Sequence, residues 1–579
     1  MAATRRDRSD ASQRNFPPAG RWRFELVCPS GVLLCMLLVL EGGGTPMMYR
    51  SLLIFVAITL LTACGAEQEQ ATVPAVETPA EAAATASLDP AKGIDWFEGS
   101  VDEAFAAAKE SGKPIYLYWG AVWCPPCHAI SATVFKSPEF LERSKLFIPV
   151  YLDGDTEHAQ AYGEKFGVRG YPTMIVFDSD GEELTRIPGG IDLQAYSNIL
   201  DLTLGETSSV NDLVAGLGDG DRVLADNDCT LLAYYSWRQD QEILAETDAE
   251  AAFRRMYESC PVNLVAERSI LYFAWLDEAI MAANAEEDPV ALTDAQKSEA
   301  ITQVNALLVD DDLIKANIFT AVIGGAKVTA AITGEGSAER SELVAKFDKM
   351  LDRVANDESV YKRERIYTLG GKINFEQIDD PEAEVSDGLK AEIRAMVKWA
   401  DESTPDVYER QPIINALGNV LDAAGMDDVA KPLLLAELDK SNQPYYFMVG
   451  LADIEQRAGN YDVAVDWLKQ AYDSTTGPAT RFQWGYYYLA GLIEMKPEEA
   501  ELIHTVTVGL IDELQNSGGL YHRPKSQLGR MEQRLLDWSE EYGNAAELAE
   551  IRDSVMLVCE SASHQDDSRA TCDAFLEQA

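Results

Sequence analysis

The hydrophobic positions between residues 94 and 205 change period several times along the chain. Stretches with an apolar residue every three or four positions alternate with short continuous runs of aromatic and β-branched residues, such as residues 115–119. This alternation predicts an α/β domain in which buried strands are separated by amphipathic helices. The predicted helices span 101–110, about 124–135, 158–166 and 193–204, and the predicted strands span 115–119, 147–152, 174–177 and 182–187.

From residue 206 onward the strand-like runs fade and helical spacing dominates, as in Leu343, Phe347, Leu351 and Val354. These residues are expected to form core faces of helices, without chemistry of their own. The pattern predicts an all-α region, which we divide into a helical segment over 206–410 and a repeat-bearing segment with a C-terminal cap over 411–579.

A pattern of small and apolar residues recurs after 34 positions in the second of these segments. Gly425 and Ala430 of the first copy correspond to Gly459 and Ala464 of the second, and small residues there let two antiparallel helices pack closely. The copies resemble tetratricopeptide repeats, and this resemblance implies a concave surface that binds peptides. A purely structural helical bundle explains the pattern equally well, so both alternatives stay open.

The N-terminal residues are typical of a targeting signal rather than of a folded domain. Residues 47–63 place Arg50 before about a dozen apolar residues and a small-residue cleavage site, as in secretory signals. Residues 61–64, Leu-Thr-Ala-Cys, resemble the lipobox of bacterial lipoproteins, which implies cleavage before Cys64 and lipidation of that cysteine. A retained transmembrane helix is the alternative, although the apolar run is short for a bilayer.

Two further expectations concern the chain on either side of this signal. Residues 1–46 are rich in arginine and precede a complete signal, so we interpret them as an extension from a start codon assigned too early. Residues 64–93 begin with the lipidated cysteine and continue mainly as Ala, Glu, Thr and Pro, which predicts a flexible linker. Gly65 stands where the lipoprotein family's inner-membrane retention signal would be Asp, so the resemblance favours the outer membrane.

Composition adds one strong feature, a formal net charge of −48 from 96 acidic and 48 basic residues. Such a surface repels phosphate backbones and anionic lipid heads. We therefore expect no nucleic-acid partner, and contact with the membrane only through the lipid anchor. No motif for a nucleotide or a second active site accompanies the charge, and we expect neither a cofactor nor a metal site.

Nine cysteines occur in the chain, and three of them, Cys28, Cys35 and Cys64, belong to the N-terminal segments. The remaining six are an even number, which suits an oxidising compartment. Two of the six, at 124 and 127, form a CxxC motif. The other four are predicted to form structural disulfides, with free thiols or a zinc site as alternatives. The predicted pairs are Cys229–Cys260 and Cys559–Cys572.

The CxxC motif, in the segment WCPPCH at 123–128, stands where a strand should lead into a helix. The positive end of the helix dipole would stabilise a Cys124 thiolate, and Cys127, one turn further on, could resolve a mixed disulfide. Pro172 follows 45 residues after the second cysteine, in the segment Tyr-Pro-Thr. The motif, its setting and this proline together resemble the thioredoxin superfamily.

This resemblance implies a role for each matched residue. Cys124 would be the exposed attacking thiol and Cys127 the buried resolving thiol, with Pro172 as a cis proline facing both. The backbone before that proline would meet an extended substrate strand. The substrate-binding residues implied by the resemblance are Trp123, Tyr171 and Thr173.

Segments outside the motif resemble the periplasmic disulfide-reductase branch of the superfamily, namely Gly-Lys-Pro at 112–114 and Phe-Lys-Ser-Pro at 135–138. The branch implies a reductase acting on thiols or disulfides of envelope proteins, while oxidant and isomerase stay open. Tyr118 departs from the family pattern, because many thioredoxins carry there a buried Asp that assists proton transfer to the resolving thiol. The electron donor or acceptor is not readable.

His128 turns the motif into CxxCH, which is also the attachment motif for c-type haem. That alternative explains neither the aromatic residues before the motif nor the Tyr-Pro-Thr segment at 171–173. We therefore interpret His128 as a surface residue in the first turn of the helix.

These expectations combine into one architecture, an α/β thioredoxin-like domain over 94–205 followed by an all-α, tetratricopeptide-like helical domain. The predicted function is thiol–disulfide exchange at the periplasmic side of the cell envelope, as an enzyme that acts through a CPPC site. The alternative is an envelope assembly or binding protein built on helical repeats, in which the thioredoxin-like domain senses redox state.

Overall fold

The structure, a computed structural model, describes residues 93–205, 207–217, 223–240, 242–245, 247–285, 289–516, 522–561 and 574–576. The predicted signal, the lipobox with Cys64 and the linker up to residue 92 lie outside the described residues. Cys572 and the side chain of Cys559 lie outside them as well, and so does the disulfide predicted between these two residues.

The first folded unit is a thioredoxin-like α/β domain with one sheet. Its elements are α1 (Val101–Ser111), β1 (Ile115–Gly120), α2 (Pro125–Ala132), α3 (Pro138–Ser144), β2 (Ile148–Asp153), α4 (Glu157–Lys165), β3 (Thr173–Phe177), β4 (Glu183–Ile187) and α5 (Leu193–Thr203). The strand order is β2-β1-β3-β4, with β1 parallel to β2 and antiparallel to β3, and β3 antiparallel to β4. Because β1 and β2 run parallel, the chain must cross over between them, and this connection carries α2 and α3.

Local sequence accounts for the ends of several elements. The Ser100 side chain accepts a hydrogen bond from the Glu103 backbone N–H, the Glu103 carboxylate accepts one from the Ser100 N–H, and this capping box begins α1. Gly112 ends the helix in the left-handed conformation with φ 72°. In the β3–β4 hairpin, the Asp178 carboxylate accepts hydrogen bonds from two backbone N–H groups of the turn, and Gly181 has φ 92°.

The helix predicted to run from the CxxC motif to about residue 135 is shorter in the structure. It ends at Ala132, and a separate helix begins after Ser137. Pro138 takes the first helical position, where its missing N–H costs nothing, and the Ser137 hydroxyl accepts a hydrogen bond from the Phe140 N–H at 3.1 Å. The break lets the crossover between β1 and β2 turn over the sheet.

The chain after residue 206 is almost all helix. Its helices are α6 (Val210–Ala215), α7 (Asp226–Ala233), α8 (Ala249–Ser259), α9 (Val265–Ala283), α10 (Asp294–Leu307), α11 (Asp311–Ala316), the π-helical turn Thr320–Gly324, α12 (Gly325–Ile332), α13 (Ala338–Asn356), α14 (Lys362–Glu376), α15 (Asp387–Ser403), α16 (Val407–Ala423), α17 (Asp427–Leu438), α18 (Tyr445–Arg457), α19 (Tyr461–Asp473), α20 (Pro478–Met495), α21 (Ala500–Asn516), α22 (His522–Tyr542) and α23 (Ala545–Ser561).

Helices from widely separated parts of this region pack against the α/β domain. Helix α6 lies against β4, α16 lies against α2, and α22 lies against α4. Phe319 packs so closely on Gly190 that a Cβ atom there would lie 2.5 Å from its ring. The α/β domain is therefore contacted by helices from the beginning, the middle and the end of the helical region.

Among the described residues, no helix combines the length and the apolar character that crossing a membrane requires.

Candidate active site

Cys124 occupies the N-cap position of α2, directly after the strand β1 and a short connecting segment. Its backbone is extended, with φ −80° and ψ 113°, and its Sγ accepts a hydrogen bond from the Cys127 backbone N–H at 3.2 Å. Pro125 and Pro126 fill the first two helical positions and have no N–H to offer. The Cys127 N–H is therefore the first backbone donor of the helix that can reach the sulfur, and the helix dipole adds to its effect.

The structure contains a disulfide between Cys124 and Cys127, with Cα atoms 5.2 Å apart. Both residues are only 1% exposed. The prediction that Cys124 is exposed is therefore wrong for this structure, whereas the predicted burial of Cys127 is confirmed. Helix α16 packs on α2, and side chains of the helical region bind the segments on either side of the motif.

The segment that carries the cis proline stands beside the motif. The Tyr171–Pro172 peptide bond is cis, and the Tyr171 ring packs edge-on against the Trp123 indole with centroids 5.1 Å apart. The Tyr171 hydroxyl donates to the Gly154 carbonyl at 3.0 Å, which holds the ring inside the domain. These contacts bring together the two sequence segments that were predicted to form the site.

The side chains predicted to bind substrate point into the domain rather than into solvent. Tyr171 is 1% exposed, and Thr173 is fully buried with its hydroxyl donating to the Gly170 carbonyl at 2.8 Å. The Trp123 indole N–H donates to the Asp155 carboxylate at 2.5 Å. Tyr171 and Thr173 can therefore meet a substrate through their backbone, while their side chains shape the site from behind.

Four polar side chains of the helical region reach this site, and sequence reasoning found none of them. The Gln239 amide donates to the Pro172 carbonyl at 2.6 Å, and the Gln443 amide donates to the Val122 carbonyl at 3.3 Å. Thr480, at the start of α20, donates from its backbone N–H and its hydroxyl to Asp155. The Tyr408 ring of α16 lies edge-on to the His128 ring. A Gln in a loop or a Thr at the start of a helix is ordinary, so no local signal marked these residues.

His128 is buried, which corrects its interpretation as a surface residue. It is 2% exposed, and its Nε2 lies 2.7 Å from the Val122 carbonyl. Its Nδ1 makes no well-formed hydrogen bond, and neither does the amide of the neighbouring Gln411. Burial lowers the pKa of His128, while the Val122 carbonyl and Gln411 oppose that shift more weakly. The ring is therefore neutral at neutral pH and donates its Nε2 proton to Val122.

These contacts do not fit the haem-attachment alternative. That chemistry needs both cysteine sulfurs for bonds to the macrocycle and an imidazole nitrogen free for the iron. Here the sulfurs are bonded to each other, and Nε2 of His128 is held by a carbonyl. Among the described residues, no group of three or more His, Cys, Asp or Glu side chains is placed to hold a metal ion.

Two carboxylates at the end of β2 belong to the surroundings of the site. Asp153 of β2 lies opposite Gly120 of β1 in the sheet, and Gly120 is four residues before Cys124. Burial raises the pKa of the Asp153 carboxyl group. Asp155 accepts the hydrogen bond of the Trp123 indole. Burial also raises the pKa of Tyr118, the residue that departs from the thioredoxin pattern, so its hydroxyl stays protonated. Sequence reasoning missed both carboxylates, because their position beside the motif depends on the parallel β1–β2 pairing.

The second disulfide lies in the helical region, between Cys229 of α7 and Cys260 at the end of α8. Its Cα atoms are 5.5 Å apart, and the two residues are 0% and 3% exposed. The Arg268 guanidinium donates to the Cys260 carbonyl at 2.6 Å, which fixes the backbone at the end of α8. The pair stands apart from the CxxC motif and has the surroundings of a structural disulfide.

Known proteins match this chain in its α/β domain. A family model for a thioredoxin-like domain matches residues 101–203. A thioredoxin H-type of Brassica campestris is 30% identical over 126 residues, which are 20% of this chain and 93% of that protein.

Two longer relatives match only in part. A protein disulfide-isomerase of Neurospora crassa is 34% identical over 92 residues, 16% of this chain and 24% of that protein. The thiol:disulfide interchange protein DsbD of Klebsiella pneumoniae is 29% identical over 160 residues, 27% of this chain and 25% of that protein. The chain thus spans about a quarter of the length of these two relatives. Through its α/β domain the chain belongs to the thioredoxin family, and it is a thioredoxin-like thiol–disulfide oxidoreductase with its cysteines at 124 and 127.

Proposed function

We propose that the protein reduces disulfides of other proteins in the bacterial cell envelope. The observation that carries this proposal is the position of Cys124, whose sulfur lies at the N-terminus of α2, bonded to Cys127 and beside the cis proline segment. A helix N-terminus favours the thiolate, which is the nucleophile in disulfide exchange. A resolving thiol one turn away completes the exchange within one molecule.

The proposed exchange transfers two electrons in two steps. In the reduced protein the Cys124 thiolate attacks a substrate disulfide, forms a mixed disulfide and releases the first substrate sulfur as a thiolate. The Cys127 thiol then loses its proton and attacks the Cys124 sulfur, which releases the second substrate sulfur. The substrate leaves as a dithiol after taking up two protons, and the protein is left with the Cys124–Cys127 disulfide. The Pro172 segment holds the substrate strand during both steps.

Several observations support an envelope location and the direction of electron flow. The Cys229–Cys260 disulfide suits an oxidising compartment. The lipobox resemblance at residues 61–64 supports a lipid anchor at Cys64, facing the periplasm, with the outer membrane favoured. The branch resemblance at 112–114 and 135–138, together with the DsbD relative, supports a reductase.

The reduction potential of the Cys124–Cys127 pair tests the direction. The potential of a reductant should be about −270 mV, whereas that of an oxidant should be about −120 mV. Equilibration with glutathione buffers, followed by mass analysis of alkylated protein, measures it. A value at the oxidant end would contradict the proposed direction and leave the exchange chemistry standing.

Trapping of mixed disulfides tests the residue roles. A Cys127→Ala variant keeps the attacking thiol and loses the resolving one, so mixed disulfides with envelope proteins should accumulate. The matched Cys124→Ala variant should trap none. Pro172→Thr should prolong the mixed disulfide in the otherwise intact protein, because the substrate strand is held at that backbone. Equal trapping by both cysteine variants would overturn the assignment.

The lipid anchor has its own test. Cys64→Ser should abolish incorporation of labelled palmitate and release the protein from membranes. Incorporation that persists in this variant would refute lipidation at that cysteine.

A second candidate function is a repeat-based binding protein in which the redox domain senses its surroundings. It is favoured by the helix–turn–helix pairs α16–α17 and α18–α19, whose turns contain Gly425 and Gly459, both in the left-handed conformation. We propose that these pairs are tetratricopeptide-like repeats. Insulin reduction that depends on Cys124 separates the two functions, because a sensing domain requires no turnover.

A further inference from the structure

We propose that the helical region is an autoinhibitory cap on the redox site, and that Cys124 reacts only when this cap undocks. The cap residues are Gln239, Tyr408, Gln411, Gln443 and Thr480. The inference deepens the proposed function and rests on Cys124 as the attacking thiol.

The burial of Cys124 comes from parts of the chain that are remote in sequence. Gln443 lies 321 residues from its partner Val122, and Thr480 lies 325 residues from its partner Asp155. An N-cap residue has solvent-facing groups unless another element covers them. Cys124 is nevertheless 1% exposed, and α16 packs on the helix that it begins, so we attribute part of its cover to the docked helical region.

The cap binds the two backbone segments that flank the sulfur. Gln443 donates to the Val122 carbonyl, two residues before Cys124, and Gln239 donates to the carbonyl of Pro172. An extended polypeptide adds to a protein edge through main-chain hydrogen bonds, in which its N–H groups donate to exposed carbonyls. The Gln239 amide occupies a carbonyl directly after the backbone that would meet the substrate strand, and the Gln443 amide shares the Val122 carbonyl with His128. The cap therefore competes with a polypeptide substrate for the same groups.

Asp155 joins the cap to the motif itself. Its carboxylate accepts from the Trp123 indole N–H at 2.5 Å and from the Thr480 backbone N–H at 3.1 Å. The Thr480 hydroxyl adds a further hydrogen bond at 2.6 Å. Trp123 immediately precedes Cys124, and Asp155 links its indole to Thr480. Loss of the Thr480 hydrogen bonds would therefore release Asp155 and Trp123 from the helical region without changing either cysteine.

The contact surface has the character of an interface that opens. Gln411 and His128 are 3% and 2% exposed, yet both Gln411 amide atoms and Nδ1 of His128 lack well-formed hydrogen bonds. The two side chains interact only weakly with each other, and poorly hydrogen-bonded buried polar groups weaken an interface, since water would satisfy them once it opens. The docked state is therefore weakened at this contact, which favours release of the cap.

The test measures how fast the phosphine TCEP opens the Cys124–Cys127 disulfide in the oxidised full-length chain. The phosphine attacks one sulfur, water completes its oxidation to the phosphine oxide, and both cysteines become thiols. Quenching with N-ethylmaleimide and peptide mass mapping counts the thiols at each site. No substrate protein is present, so the readout is independent of turnover.

The double variant Gln443→Ala/Thr480→Val removes the side-chain hydrogen bonds of both residues to the α/β domain, keeps the backbone N–H of position 480, and changes no residue of the α/β domain. Opening should be about tenfold faster than in the wild type, as expected when hydrogen bonds that hold the docked state are lost. Thr505→Val is the matched control, because Thr505 is exposed and its hydroxyl donates to Glu501 within α21. The control should open at the wild-type rate.

An unchanged opening rate in a folded double variant overturns the cap. If circular dichroism shows that the double variant does not fold, the single variant Gln239→Ala gives the same decision, with a rate several times that of the wild type supporting the cap. Insulin reduction by the same proteins keeps the two proposals apart. Faster opening without Cys124-dependent insulin reduction would leave the cap and refute the reductase, and the reverse result would refute the cap alone.

Discussion

The Cys124–Cys127 and Cys229–Cys260 disulfides are shielded from solvent to the same degree, but different parts of the chain shield them. The first pair is 1% and 1% exposed, and the second pair is 0% and 3% exposed. Residues of α7, α8 and α9, all within about fifty positions of each other, surround the second pair. The first pair is covered by side chains that lie as far as 325 residues away from their partners.

The difference shows that equal burial can describe two different physical situations. Cys229 stands beside Leu231 and Leu232, which are fully buried, so exposing this disulfide requires a hydrophobic core to open. The segments beside Cys124 are held partly by hydrogen bonds from glutamine and threonine side chains, which water can replace at small cost, and partly by the packing of α16 on α2. One disulfide is thus suited to permanent structure and the other to controlled access.

Removing single cysteines should separate the two sites most strongly. Cys124→Ala should lower insulin reduction by roughly a thousandfold or more, because among the described residues no other cysteine lies at a helix N-terminus beside the cis proline. The matched variant Cys229→Ala/Cys260→Ala should retain turnover near the wild-type rate at a temperature where it is folded. Loss of turnover in that double variant, with an intact α/β domain, would contradict the division of roles.

The free energy of unfolding should depend more on the Cys229–Cys260 disulfide than on the Cys124–Cys127 disulfide, which is the opposite of the order expected for turnover. Replacing both Cys229 and Cys260 with alanine should lower the free energy of unfolding by about 3 kcal/mol, since their disulfide closes a loop of 31 positions. Replacing both Cys124 and Cys127 should cost less, about 2 kcal/mol at most, because their loop spans 3 positions. Urea unfolding followed by far-ultraviolet circular dichroism measures both, and a larger loss for the CxxC variant would reverse the comparison.

The two thiols of the CxxC motif should differ from each other once reduced. At pH 6 iodoacetamide should label Cys124 about ten times faster than Cys127, because the helix N-terminus favours the Cys124 thiolate. The Cys229→Ala/Cys260→Ala background removes other thiols of the described region from the measurement. Faster labelling of Cys127 would show that the attacking and resolving roles are exchanged.

The smallest expected effect is a pH dependence of the cap. Burial lowers the pKa of His128 below its ordinary value of about 6.5 when the cap is docked, and undocking would restore that value. The undocked state therefore binds more protons as pH falls below about 6.5, and docking weakens until the pH passes below the lowered pKa. The groups facing the ring are the Val122 carbonyl, Tyr408 and Gln411, none of which carries a charge to reverse this sign.

TCEP reduction at pH 7.5 and pH 5.5 measures this effect, because the phosphine acts at both values. The wild-type disulfide should open faster at the lower pH, relative to a small-molecule disulfide under the same conditions. His128→Gln should lose this acceleration, and the exposed His158→Gln control should keep it. A His128→Gln variant with the full wild-type response would rule out this histidine as the cause.

Much of the α/β domain could be predicted from the sequence because its signals are local. The capping box at Ser100, the aromatic run of β1 and the hairpin turn at Asp178 each act within a few residues. The interruption between α2 and α3 was missed, although Ser137 and Pro138 form a recognisable helix start. The apolar spacing continues from α2 into α3. Periodicity alone therefore does not show that the chain changes direction between the two helices.

Fewer features of the active site than of the α/β fold could be predicted from the sequence. The cysteines and the cis proline segment were predicted and lie together, because the parallel pairing of β1 with β2 and the antiparallel pairing of β1 with β3 bring their loops to one end of the sheet. Exposure was wrong for Cys124 and for His128. Both errors have the same cause, since the α/β domain was considered without the helices that dock on it.

The sequence by itself determined the chemistry and its immediate frame, because a CxxC at a strand-to-helix junction and a proline before a strand depend on neighbours a few residues away. It also determined that the rest of the chain is helical, through spacing that repeats every three to four residues. Only the tertiary structure decided that Gln239, Gln443 and Thr480 reach the redox site. Their positions depend on how many successive helices pack together, and a polar side chain in a loop or at a helix start has the same local sequence whether it meets water or a polar group of a distant domain.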